Sequence, residues 1–188
     1  MKRDTQFTLK KAHKHFQVIT KHRIEVGKVC FRAGLYWQGI THDLSKYSPT
    51  EFISSARYYQ GTSSPIDAEK KDKGYSLAWL HHRGRNPHHW EYWIERLSKG
   101  GVPLKMPLRY LVELACDFIG AGKVYMGKSW TFSEPFKYTQ DKILKGNMKL
   151  HSETQELLLQ ILKEFEQKGY SALKQKNIAT LAEGLNYV

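Results

Sequence analysis

Eight of the nine histidines fall in three local groups: His13, His15 and His22; His42, directly before Asp43; and His81, His82, His88 and His89. Neutral imidazole beside carboxylate suits Mn, Fe, Co, Ni or Zn, whereas a site of carboxylates and waters leans toward Mg. The mixture therefore points to one or two divalent transition-metal ions, with Mg as the alternative. Asp117 offers a further carboxylate. With Arg109 and Glu113 it recurs every fourth residue, as an exposed salt-bridged stripe would. Its neighbours Leu111, Val112, Leu114, Ala115, Phe118 and Ile119 are apolar nearly all round the helix, so the stripe can equally face an internal site.

Each candidate has a plainer role beside the metal-binding one. A histidine such as His22 on an apolar face is more often a hydrogen-bonded core residue. His42 and Asp43 can form a local cap. On a helix, adjacent side chains point about 100° apart, so this pair shares one ion only if the ion sits in the wedge between them. His82, Asn86 and His89 line up only if a helix continues through them, and Pro87 interrupts it. His82, His88 and His89 are accordingly candidates for a second metal or for substrate contact, with His81 as a neighbour. Trp90, Tyr92 and Trp93 can stack on a nucleobase, although core packing is the commoner use of such rings. Lys46, Arg83 and Arg85 can hold phosphate, with solvated surface charge as the plainer role of the arginines.

The elements that must position these groups are helical. Apolar residues Phe16, Ile19, Val26, Val29 and Ala33 mark one buried face of a helix from Thr8 to about Arg32, and His22 falls inside that stripe. Ser48-Pro49-Thr50-Glu51 reads as a helix start, with Ser48 as N-cap, Pro49 in the first position and Glu51 closing a capping box. Residues 61–74, rich in Gly, Ser, Pro and charge, read as an exposed loop with the length of a mobile lid. Further helices are expected at Tyr75 to His82, from Asn86-Pro87, from Met106-Pro107 to about Ala121, over Ser133 to Lys145, and from Ser152 to Gly169. A last one is expected over the final fifteen residues. No alternating strand pattern and no repeat is present, so the fold class is all-α, an irregular helical bundle.

With 188 residues and 40% hydrophobic content, the chain can bury one core as a single domain. The formal net charge of +12 favours anionic partners: a nucleotide or other phosphorylated small molecule, or nucleic acid. The first 32 residues are the most basic, with Lys2, Arg3, Lys10, Lys11, Lys14, Lys21, Arg23, Lys28 and Arg32 against Asp4 and Glu25. Most of these suit a solvated face. Cys30 and Cys116 lie in apolar surroundings and read as buried hydrophobes in a reducing compartment. The N-terminus lacks an apolar signal core, and no apolar run approaches the length of a membrane span. A soluble cytoplasmic protein is the expectation.

The order His22, His42-Asp43, histidines between 81 and 89, then Asp117 resembles the HD-domain superfamily of metal-dependent phosphohydrolases. The resemblance covers roughly residues 10–125, with C-terminal helices over 133–188 packing on that core. HDLSKYSPTEF followed by HRGRNPHHWEYW is similar to a small uncharacterised HD-like family of bacteria and their phages. The resemblance implies metal ligation by His22, His42, Asp43 and Asp117. It also implies a second metal or substrate site at His82, His88 and His89. His42-Asp43-Leu44-Ser45-Lys46 looks like the HDxxK variant, in which the lysine approaches a substrate phosphate. The GYP portion of the HD-GYP phosphodiesterases is absent, which removes the case for a cyclic dinucleotide. HD nucleotidases with glutamate at the lysine position differ here, leaving the general acid unassigned, with Glu51 as a substitute if it does not cap its helix. The implied activity is hydrolysis of a phosphate ester, foremost a nucleotide. A basic nucleic-acid-binding protein without catalysis is the second reading, and a di-iron oxygenase of the HD type the third.

Overall fold

The buried stripe that holds His22 begins at His15, one residue before Phe16. In a computed structural model, which describes residues 5–61, 63–96 and 100–187, α1 spans Leu9–Arg32 and buries His15, Ile19, His22, Val26, Val29 and Cys30. Thr8 caps it, its hydroxyl accepting from the Lys11 amide at 3.2 Å. Phe16 is 47% exposed and packs edge-on against Tyr47 at the surface. The expected stripe is thus corrected by one residue: His15, four before Ile19 and seven before His22, takes the buried place. Lys2, Arg3 and Asp4 lie outside the described residues.

Short elements follow: α2 (Tyr36–Thr41), a 3₁₀ turn over Leu44–Tyr47, α3 (Pro49–Arg57), α4 (Pro65–Lys73) and α5 (Leu77–Arg83). Most of the segment read as a loop and lid is α4. Pro65 occupies its first turn, Asp67 complements the N-terminal dipole, lysines crowd the last turn, and Gly74 at φ 81° ends it. Glu69, only 2% exposed, accepts from Ser54 Oγ at 2.8 Å and Ser76 Oγ at 2.5 Å, tying α4 to α3 and to the start of α5. Turn-forming composition at a helix's two ends had outweighed the helix between them.

The helix expected from Asn86-Pro87 does not form. Asn86 Nδ2 donates to the His82 carbonyl at 2.7 Å and to Ser45 Oγ at 2.8 Å, and the chain turns into a 3₁₀ stretch at Trp90–Trp93. A two-residue antiparallel pair follows, β1 (Ile94–Glu95) against β2 (Val102–Pro103), with Ile94 opposite Pro103. The remaining helices are α6 (Leu108–Met126), which ends five residues later than expected, α7 (Glu134–Leu144), α8 (Ser152–Lys168) and α9 (Gln175–Gly184). The described residues form an irregular all-α bundle.

One apolar core joins α1, α6, α8 and α9 through Val26, Val29, Leu114, Ile119, Leu158, Ile161, Phe165 and Ile178. Cys30 and Cys116 lie in it as free thiols. At Gly120 a Cβ would come within 2.8 Å of the Val26 backbone nitrogen, so the absent side chain lets α6 press against α1. That close approach sets α1 and α6 side by side, with His22 on one and Asp117 on the other. No helix among the described residues is long and apolar enough to cross a membrane.

Candidate metal centre

His42 and Asp43 do not sit on a helix. α2 ends at Thr41, His42 leaves the helical conformation (φ −46°, ψ 124°), and Asp43 adopts the left-handed conformation at φ 54°, ψ 25° before the 3₁₀ turn begins. The wedge geometry expected of two helical neighbours is therefore replaced by a backbone break. Left-handed backbone costs a non-glycine residue of order 1–2 kcal/mol, less for Asp or Asn, and persists where surroundings enforce it. Here Arg23 on α1 does so, donating from Nε to the His42 carbonyl at 2.7 Å and from Nη2 to the Ile40 carbonyl at 2.8 Å. The turn is clamped against α1, and both side chains point inward.

The two oxygens of Asp43 serve two groups of ligand atoms. Around Oδ2 lie His22 Nε2 at 3.0 Å and His42 Nε2 at 3.4 Å, with Asp117 Oδ1 3.3 Å from the first imidazole and 3.6 Å from the second. Around Oδ1 lie His82 Nε2 at 3.2 Å and His88 Nε2 at 3.4 Å, and His89 Nε2 is 2.9 Å from His82 Nε2. Donors bound at about 2.1 Å to one ion stand roughly 3.0 Å apart at right angles and roughly 3.4 Å apart at the tetrahedral angle. The observed edges match that spacing.

His42 Nε2, Asp43 Oδ1, His88 Nε2 and Asp117 Oδ1 are all buried without a hydrogen-bonding partner. Buried polar atoms are normally paired, and leaving one unpaired costs about 1–3 kcal/mol. Three of them gathered about the Asp43 carboxylate, whose own Oδ1 is the fourth, fit a site built for cations. The sets Asp43, His82, His88, His89 and His22, His42, Asp43 can each hold an ion, Asp43 belonging to both.

Two carboxylates behind the imidazoles fix which nitrogen faces inward. Glu113 Oε1 accepts from His42 Nδ1 and His88 Nδ1, each at 3.0 Å. Glu51 accepts from His81 Nδ1 at 2.6 Å and His82 Nδ1 at 2.7 Å. An Nδ1–H held by carboxylate leaves the Nε2 lone pair free for a metal and raises its basicity. The capping box is thereby half corrected. Ser48 does cap α3, 3.5 Å from the Glu51 amide, but the Glu51 side chain turns inward to histidine instead of back to the cap. Sequence reasoning did not assign Glu113, although its place four before Asp117 on an apolar helix carried the signal. His42, His88 and Glu113 also form a cluster by themselves; the direct Nδ1 to carboxylate bonds make it the support for the two imidazoles.

The charges are strongly coupled. Burial disfavours the His42 imidazolium, yet Asp43, Asp117 and Glu113 outweigh it and raise its pKa to about 10. Burial likewise works against the carboxylates, but His42 and Lys46 hold Asp43 well below the usual range, and His42 and His22 do the same for Asp117. His89 is pushed down by burial and by the charge on His88 and His82. Lys46 Nζ is 2.6 Å from Asp43 Oδ2, the position expected of a cation beside the centre.

A family model described as a family of unknown function (DUF5662) matches residues 11–164. The chain belongs to that family. No curated protein and no solved structure matches the chain. The matched stretch of this DUF5662 chain contains every ligand candidate from His22 to Asp117 and ends within α8.

Two cavities flank the centre. One, of about 410 Å³, reaches Lys46 and Glu51; the other, of about 690 Å³, reaches Asp117 and His89 and is lined by Trp79, Trp90, Lys70 and Lys137 among others. Trp90 also packs against the apolar core. Arg83 is half-buried and Arg85 exposed, and neither lines either of these two cavities. Of the sequence-derived candidates, His22, His42, Asp43, Lys46, His82, His88, His89 and Asp117 come together, and the two arginines do not join them.

Proposed function

We propose that this chain is a metal-dependent phosphohydrolase acting on a phosphate ester, with a nucleotide as the leading substrate. The observation that carries this reading is the convergence of unpartnered Nε2 and carboxylate atoms on both oxygens of Asp43, with an ammonium group, Lys46, beside them. The order of these residues along the chain, similar to that of HD-domain phosphohydrolases, supports it.

Two divalent transition-metal ions in such a site supply Lewis acidity toward phosphoryl oxygens and an acidified water at neutral pH. The chain's own groups do the rest. Asp43 would serve both ligand sets, with His22 and His42 beside one of its oxygens and His82 and His88 beside the other. Glu113 and Glu51 keep the imidazoles in the tautomer that presents Nε2. Lys46 neutralises charge that builds on the phosphoryl group, in a setting dry enough to make that attraction strong. Ester plus water gives alcohol plus phosphate.

Elemental analysis of the purified protein, followed by a nucleotide panel with and without Mn, tests the reading. Metal that co-purifies and is lost with Asp43→Ala, together with Mn-dependent phosphate release, supports it. A wild-type protein that takes up no metal, or an Asp43→Ala variant unchanged in metal content and activity, overturns it.

A second reading is favoured by the three imidazoles of the Oδ1 set, a donor composition that suits iron. Oxygen-dependent product formation in place of phosphate release would select an oxygenase. The exposed Lys10, Lys14, Lys21 and Arg32 of α1 favour nucleic-acid binding. Such binding would weaken steeply with salt and survive Asp43→Ala.

A further inference from the structure

The cavity of about 410 Å³ above Lys46 has a composition unlike that of the centre it adjoins. Lys46 and Glu51 line it, and its walls include Val18, Ile19, Ile66 and Val124 beside the hydroxyl groups of Ser55 and Ser64. His15 also lines it, only 5% exposed, with its Nδ1 buried and without a hydrogen-bonding partner. The ring is held in place by Phe52 and Tyr59, at centroid distances of 5.3 and 6.0 Å.

His15 and His22 lie on the same face of α1, seven residues or about 10 Å apart along the axis. One end of this distance is a metal-ligand candidate and the other an unsatisfied polar atom in a chamber of mixed apolar and hydroxyl-bearing walls. We infer that the chamber is the subsite for the organic group of a phosphate monoester, one with apolar surface and a neutral hydrogen-bonding group that reaches His15. The inference rests on the phosphohydrolase reading for the position of the phosphate over Lys46 and the centre.

Three features set the class. The volume falls within the usual range for small-molecule sites, large enough for a compact organic group and small for a macromolecular strand. Among the described residues the walls carry no cation apart from Lys46, so a second or third phosphate finds no partner there. His15 is kept neutral, its pKa pushed down to about 4 by burial and by Lys46. A neutral imidazole pairs with an amide, hydroxyl or ring nitrogen and gives no charge assistance to an anion. His15 is thus a specificity-determining residue that contacts the organic end of the substrate and stands apart from the reacting atoms.

The test uses the full-length, Mn-loaded protein with inorganic phosphate, phenyl phosphate, glycerol 2-phosphate, and uridine and adenosine 5′-monophosphates as probes. Affinity is read as KM for esters that turn over and as Kd for those that do not. At least one ester is expected to bind about tenfold more tightly than inorganic phosphate, the worth of one well-made buried hydrogen bond. His15→Phe, which keeps a ring and removes both nitrogens, and Val18→Phe, which narrows the chamber, are each expected to erase that margin. Metal content and inorganic phosphate affinity should stay at wild-type values, which also shows that the variants are folded. His15→Gln should restore part of the margin.

If no ester outbinds inorganic phosphate, or the margin survives both substitutions, the subsite is overturned. A margin that His15→Phe removes without any ester being hydrolysed keeps the subsite and sinks the hydrolytic reading. Hydrolysis without a margin does the reverse, and failure of phosphate and every ester to bind sinks both.

Discussion

The interior around Phe165 is assembled from Leu157, Leu158, Ile161, Leu162 and Leu173, while the interior around Asp43 is assembled from imidazoles and carboxylates. The two share a helix. α6 contributes Leu111, Leu114, Ala115 and Ile119 to the first and Glu113 and Asp117 to the second. Burying an apolar side chain is favourable in itself, by about 1.5–3 kcal/mol for a Leu or Phe. Burying charge is favourable only when it is matched, and removing one partner of a buried charged set is strongly destabilising. One interior is thus complete as folded, and the other leaves donors that fit an ion.

The sharpest way to break that contrast is to remove the carboxylate common to both ligand sets. Asp43→Ala should abolish binding of both ions and reduce Mn-dependent phosphate release to background, read by elemental analysis and a phosphate assay. Asp43→Asn tolerates the left-handed backbone as Asp does and should lose metal too, which assigns the loss to charge and not to strain. Retention of one ion per chain in Asp43→Ala would show that the two sets do not depend on a shared ligand.

Phe165→Ala tests the other interior. A fully buried Phe truncated to Ala costs about 3–5 kcal/mol, so thermal and denaturant unfolding should shift by that amount. Metal content measured below the new melting temperature should stay at the wild-type value. If the ions were lost as well, the two interiors would be a single cooperative unit held together through α6.

The same division explains what the sequence revealed. Apolar periodicity located α1, because an amphipathic helix must repeat its apolar residues every three or four positions, and start signals at Met106-Pro107 and Ser152 located α6 and α8. The ligand candidates were legible as residue types in a particular order. Their supports were not. Glu113 looked like one member of a surface stripe, and Glu51 like a capping residue, because a carboxylate's partner many positions away leaves no local trace. The break at Asp43 was also hidden, since nothing in ITHDLSKYS marks a left-handed residue. Helix α4 was missed for the opposite reason: its caps, Ser64-Pro65 and Gly74, were read as a loop, and the burial of Glu69 depends on serines in α3 and before α5.

Glu113→Gln sharpens the comparison at the boundary. The carboxylate accepts from two imidazoles, and an amide can retain hydrogen bonding while losing the charge that raises their basicity. Metal affinity should fall by about 10–100-fold, as for other partners standing behind metal ligands. A competitive chelator titration measures it. Stability without metal should change far less than in Phe165→Ala. An unchanged metal affinity would make Glu113 a packing residue of the polar interior and nothing more.

The smallest effect is in pH, and it too separates the two interiors. His42 in the ion-free protein has its pKa raised to about 10, because Asp43, Asp117 and Glu113 overcome the penalty of burial. Below that pH the imidazole carries a proton, and an ion bound at Nε2 must displace it. Raising the pH removes the competitor, so affinity rises with pH by about tenfold per unit for each proton displaced and falls as the solution is made acidic. Calorimetric Mn titrations at pH 7, in buffers of different ionisation enthalpy, should register at least one proton released per chain. The interior around Phe165 takes up and releases no protons, so unfolding changes caused by Phe165→Ala should be the same at pH 6 and pH 8. Metal uptake without proton release would mean that the imidazoles are already neutral, and that the carboxylates around Asp43 are matched by Lys46 more than by histidine.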